Sequence, residues 1–199
     1  MSDKSAPNSE EVLNKLREVL SDDTYGYAAT VVTYCETKSL SFNYIGMAEF
    51  RDALTHIGRA INESEEAKFS NEMNSAFEHI RRAAVESMQE YVELKYADVK
   101  KRLLVSNFKY WISRYKKPSK EEIRKSEEII KNNLVLGRTA KPKKEWQIAI
   151  GYFKKAEDEL DKLDAQLPTI KEIQDRFSNT FFVILLIVLI FFMVLSTFR

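Results

Sequence analysis

The sequence predicts an all-α protein: an antiparallel helical bundle with one long helix, a short coiled-coil-like stalk helix and a single C-terminal transmembrane helix. Three observations predict it. Apolar residues recur at helical spacing along nearly all of residues 9–178, and no stretch alternates in the manner of a strand. Only five Gly and four Pro interrupt 199 residues, of which 31% are charged, a balance that favours long helices and excludes collagen-like or low-complexity chains. Residues 177–198 carry no charge, and Phe181 to Leu195 is unbroken Phe, Val, Ile, Leu and Met.

Val12, Leu13, Leu16, Val19 and Leu20 pattern a first short helix, and Ala28, Val31, Val32 and Cys35 a second over 22–38. Met47, Phe50, Leu54, Ile57 and Ile61 form the expected core stripe of a third, ending near Asn62. A long fourth helix, about 65–117, carries Phe69, Met73, Phe77, Ile80, Ala84, Met88 and Tyr91 and stops at Pro118. A capping box, Ser119 to Glu122, opens a fifth helix to about Asn133. The Gly, Pro and basic residues of 134–145 read as a linker closing a bundle of residues 1–133.

Beyond it, Trp146, Ala149, Phe153, Ala156, Leu160, Leu163, Leu167 and Ile170 repeat every three or four residues. This heptad-patterned juxtamembrane segment, 146–178, either packs back on the bundle or self-associates as a stalk. Pro168 interrupts it, and Thr169 to Glu172 can cap a helix leading into 179–199.

An uncharged run of 22 residues spans roughly 33 Å as a helix, the thickness of a bilayer core. The polar N-terminus MSDKSAPNSEE lacks an apolar signal region. The expectation is therefore a tail-anchored, single-pass membrane protein with its N-terminal bulk in the cytosol. The lone Cys35, with no disulfide partner, agrees with that side.

The formal charge of +1 conceals an asymmetry of −8 over residues 1–99, +11 over 100–144 and −2 over 145–199. Lys100, Lys101, Arg102, Lys109, Arg114, Lys116 and Lys117 interleave with Phe108, Tyr110, Trp111 and Tyr115. Cations with stackable rings suit single-stranded RNA or an anionic lipid surface; the same composition also describes core rings with a solvated rim.

Signatures of phosphate-binding loops, dinucleotide folds, nucleophile elbows, zinc proteases and CxxC sites are absent, which points away from an enzyme and implies no cofactor. Two His and one Cys cannot supply a structural zinc site, so no metal is expected. Both histidines sit in one pattern, A-φ-x-H-I-x-R-A, at 53–60 and 76–83. A short turn near 62–65 would pair their helices antiparallel and face His56 and His79, with Arg59 and Arg82 one turn on. Interface histidines with arginines paired to Glu49, Asp52 or Glu78 are the structural account of this pattern.

Arg51 to His56 resembles the R-x4–6-H motif of the HEPN family, small helical domains that often dimerise and act as metal-independent ribonucleases. The resemblance covers about residues 10–117. It implies that Arg51 holds a phosphate and His56 acts as general acid or base toward a ribose 2′-hydroxyl, with both residues drawn from two protomers.

Two functions follow from these readings. One is a membrane-anchored bundle that self-assembles or binds a protein partner at the bilayer, a pore-forming antiviral-defence effector being a special case. The other is a HEPN-like ribonuclease or RNA-binding effector tethered to the membrane.

Overall fold

A computed structural model describes residues 7–113 and 118–197, the side chains of 105–113, 170, 173, 176, 177, 191, 192 and 194–197 excepted. The described residues form α1 (Ser9–Val19), α2 (Tyr27–Ser39), α3 (Tyr44–Ile61), α4 (Glu66–Ser113), α5 (Lys120–Ala140), α6 (Trp146–Asp164) and α7 (Ile170–Thr197), and no strand. The all-α class expected from periodicity is what the chain adopts.

Local sequence sets the helix ends. Asn8 and Asn43 cap α1 and α3, their side chains accepting from the amides of Glu10 and Gly46. Both predicted capping boxes form. Ser119 Oγ accepts from Glu122 N at 3.1 Å while Glu122 accepts from Ser119 N at 2.7 Å, and Thr169 and Glu172 repeat the exchange at 3.2 and 2.7 Å. Hydrogen bonds from the Ser119 hydroxyl and amide hold the Glu122 carboxyl below its usual range.

The linker expected over 134–145 needs correction. Helix α5 continues through Gly137 to Ala140, and only a short 3-10 turn, Lys141–Lys143, Lys144 in the left-handed region and Glu145 separate it from α6. Gly137 marks a close approach, because a Cβ there would lie 2.5 Å from the buried ring of Phe153.

The chain forms two compact units, to both of which α4, α5 and α6 contribute. In the first, residues 1–94 and 131–157, the core gathers Val19, Val32, Cys35, Phe69, Met73, Ile80, Met88 and Phe153. Helix α3 presents Ala53, Ile57 and Ala60 inward, leaving Met47, Leu54 and Ile61 exposed. The expected stripe is thus split. Small side chains let α3 approach its neighbour closely, and the larger ones are turned out.

A carboxylate, Glu157, is fully buried in this unit. It accepts hydrogen bonds from Tyr34 Oη at 2.6 Å, Tyr91 Oη at 3.2 Å and Lys154 Nζ at 2.6 Å, which offset the cost of taking the charge out of water. Burial works against the Lys154 ammonium, but its bonds to Glu157 and Tyr34 outweigh that and hold its pKa above the ordinary value.

In the second unit, residues 95–130 and 158–199, Val99, Leu103, Ile130, Leu160, Leu163 and Leu167 are buried. Lys95 pairs with Asp161, and Ser126 Oγ donates to Glu159 at 2.7 Å, which lowers the Glu159 pKa. The heptad seam of 146–167 is therefore covered within the chain: Ala149, Phe153, Ala156, Leu160, Leu163 and Leu167 are all buried. A free-standing coiled-coil stalk is not what these residues build.

Among the described residues, no helix is long and apolar enough to cross a membrane. Within α7 the unbroken stretch of described side chains, 178–190, is shorter than a bilayer span. From Phe181 to Ile190 every one is exposed, between 43% and 63%.

Candidate functional site

The histidine hairpin is built from the repeat itself. Asn62–Glu65 turn the chain between α3 and α4, and the buried Ala53, Ala60, Ala76 and Ala83 let the two helices approach closely. His56 and His79 then stack, with ring centroids 5.0 Å apart and planes inclined by 24°. His56 Nδ1 lies 2.6 Å from Glu72 Oε2, and His79 Nδ1 lies 2.7 Å from Glu49 Oε2.

Glu49 precedes His56 by seven residues, and Glu72 precedes His79 by seven. The true repeat is E-x3-A-φ-x-H-I-x-R-A, and each glutamate serves the histidine of the other helix. Two helical turns separate Glu and His within each helix, so an antiparallel pair places each beside its opposite number. The interchange is a quasi-twofold arrangement within one chain. Both glutamates fall four residues ahead of the eight-residue pattern, so the pattern around each histidine does not include the carboxylate that its partner helix uses.

Arg82 reaches over this pair, its Nη2 2.9 Å from His79 Nδ1 and 3.2 Å from Nε2, with Nε 3.4 Å from Glu49. A guanidinium only donates and a carboxylate only accepts, so a hydrogen on His79 Nδ1 and a lone pair on Nε2 satisfy both neighbours. The expected pairing of an arginine with Glu49 is thus present at Arg82. Arg59, its counterpart on α3, is exposed.

Both histidines line a polar cleft of about 670 Å³, together with Lys15, Arg81, Arg82 and Lys144. Lys15 pairs with Glu18 at 3.4 Å and Lys144 with Glu78 at 3.2 Å. Arg81 lies 4.5 Å from the ring centroid of Phe77 and has no carboxylate partner among the described residues. His56 uses Nδ1 on Glu72, and its Nε2 has no protein partner among them.

The other proposed site residues are placed differently. Arg51 does not line the cleft. Its guanidinium, 76% exposed, turns to the adjacent Asp52 at 3.0 Å, so one chain does not bring Arg51 and His56 together there. In the basic segment Lys100 and Lys101 are exposed, but Arg102 is drawn into ion pairs with Asp98 and Asp164 and is not displayed to a ligand. Lys109 and Trp111, by their side chains, and Arg114, Lys116 and Lys117 altogether lie outside the described residues. Among the described residues, no group of three or more His, Cys, Asp or Glu is arranged to hold a metal ion.

Fold and site together define an all-α protein with a histidine–glutamate helical hairpin opening onto a cation-bearing cleft. Compared with known protein families, curated proteins and solved structures, the chain matches none.

Proposed function

We propose that the chain is a single-pass, membrane-anchored helical-bundle protein. In this reading α7 crosses the bilayer and holds the remainder at its cytosolic face, where the bundle assembles with itself or binds a partner. The observation that carries it is the apolar circumference of α7. Ten consecutive residues, 181–190, cover every side of a helix, and all are apolar and exposed. A helix apolar all round is stable only inside a large core or in lipid. The uncharged run extends over 177–198, long enough to span. Lys171 and Arg176 flank it on the N-terminal side, which favours keeping that side cytosolic. On α3, Met47, Leu54 and Ile61 stand exposed at seven-residue spacing and supply a candidate contact line.

Flotation with neutral phosphatidylcholine vesicles tests the anchor. The full chain is expected to float. A Leu186→Arg/Leu189→Arg variant, with two charges each costing about 3 kcal/mol at the bilayer centre, is expected to remain below. Equal flotation of both, or of neither, contradicts the reading.

The second reading, a HEPN-like RNA-cleaving effector at the membrane, is favoured by one feature, the oriented imidazole of His56 on a polar cleft. It requires a second copy of the chain to deliver Arg51. Metal-independent RNA cleavage that disappears in Arg51→Ala/His56→Ala supports it; intact RNA contradicts it.

A further inference from the structure

The polar cleft has a neighbour. A smaller pocket of about 340 Å³ is lined by Tyr27, Trp146 and Ile150 and by the carboxylates Asp23 and Glu145, and shares Arg81 and Lys144 with the cleft. The two cavities therefore meet along a wall of cations, the larger one polar and the smaller one mixed, with two aromatic rings and two carboxylates. Three of the cleft's four lysine and arginine residues already face carboxylates: Lys15 with Glu18, Lys144 with Glu78 and Arg82 with Glu49. Arg81 is the exception. Its side chain rests against Phe77, and its planar fork of donors is left to the cavity. His56, steered by Glu72 through Nδ1, offers Nε2 to the same cleft.

We propose that the joined cavities bind a nucleoside monophosphate. The phosphate occupies the polar cleft, bridged by the Arg81 guanidinium and hydrogen-bonded by His56 Nε2. The base lies in the smaller pocket against the rings of Tyr27 and Trp146. Fork-like guanidinium donors match phosphate oxygens, and flat rings match a heteroaromatic base. The volumes are those of ordinary small-molecule sites. Glu18 and Glu78, each held by a lysine, stand at the cleft and disfavour ligands carrying further negative charge. This inference does not depend on the membrane anchor.

Calorimetric titration of the full-length chain in detergent with adenosine 5′-monophosphate tests it. Saturable binding is expected, with adenosine and inorganic phosphate each at least about tenfold weaker because each fills one cavity alone. Arg81→Gln is expected to weaken the nucleotide by about tenfold or more with helical circular dichroism unchanged. Arg81→Lys, which keeps the charge without the fork, is expected to fall between and serves should the first variant not fold. Trp146→Ala is expected to weaken the nucleotide while leaving inorganic phosphate binding unchanged. Absence of nucleotide binding, affinity no tighter than for phosphate, or affinity undiminished in both Arg81 variants overturns the proposal.

Discussion

Cys35 shows how one residue's surroundings decide its chemistry. Its side chain is 1% exposed, and burial, with the charge of Glu157 adding to it, pushes the thiol from its ordinary 9.0 up to about 12. The folded chain keeps this proton through a range where the unfolded chain loses it. The thiol's contribution to stability is therefore complete below about pH 9 and declines as pH rises toward 12. The native thiol is expected to resist iodoacetamide near neutral pH and to react once the chain is unfolded. Denaturant titrations on either side of pH 9 should show a smaller alkaline loss of stability in Cys35→Ala than in the parent; an equal loss contradicts this account. The histidine pair was legible in the sequence because its pattern is local and repeated. Arg81 was not, since nothing in the sequence shows which cation lacks a carboxylate once α1, α4 and the turn after α5 converge.

Among the elements, glycine carries the contrast between a broken helix and a close contact. Gly137 lies inside α5 against Phe153, whereas Gly58 lies inside α3, where an added Cβ would meet nothing within 4 Å. Gly137→Ala is expected to destabilise the chain by about 1–3 kcal/mol through overpacking. Gly58→Ala is expected to stabilise it by about 0.5–1 kcal/mol through backbone entropy. Denaturation midpoints in detergent check both, and effects of the same sign would contradict the packing described. The capping boxes at Ser119 and Thr169 could be read directly because a cap is satisfied within four residues. The end of α5 could not be read. Gly137 followed by Pro142 has the composition of a loop, and only the Phe153 ring, sixteen residues away, explains a glycine in mid-helix. The outward turn of Met47, Leu54 and Ile61 was hidden for a related reason: apolar periodicity marks one face, while alanines mark the closer approach.

For the molecule as a whole, the helical class followed from composition and spacing, and the heptad segment proved to be part of the chain's own packing. The bundle and α7 pose opposite physical problems. In the bundle, even the carboxylate of Glu157 is taken from water with its partners supplied. In α7, ten successive apolar side chains stand exposed. In the proposed function lipid resolves that imbalance. Alkaline carbonate extraction of membranes from cells making the full-length chain tests it most directly. The chain is expected to stay with the membrane pellet, as an integral protein does, and its release into the supernatant would contradict the central claim.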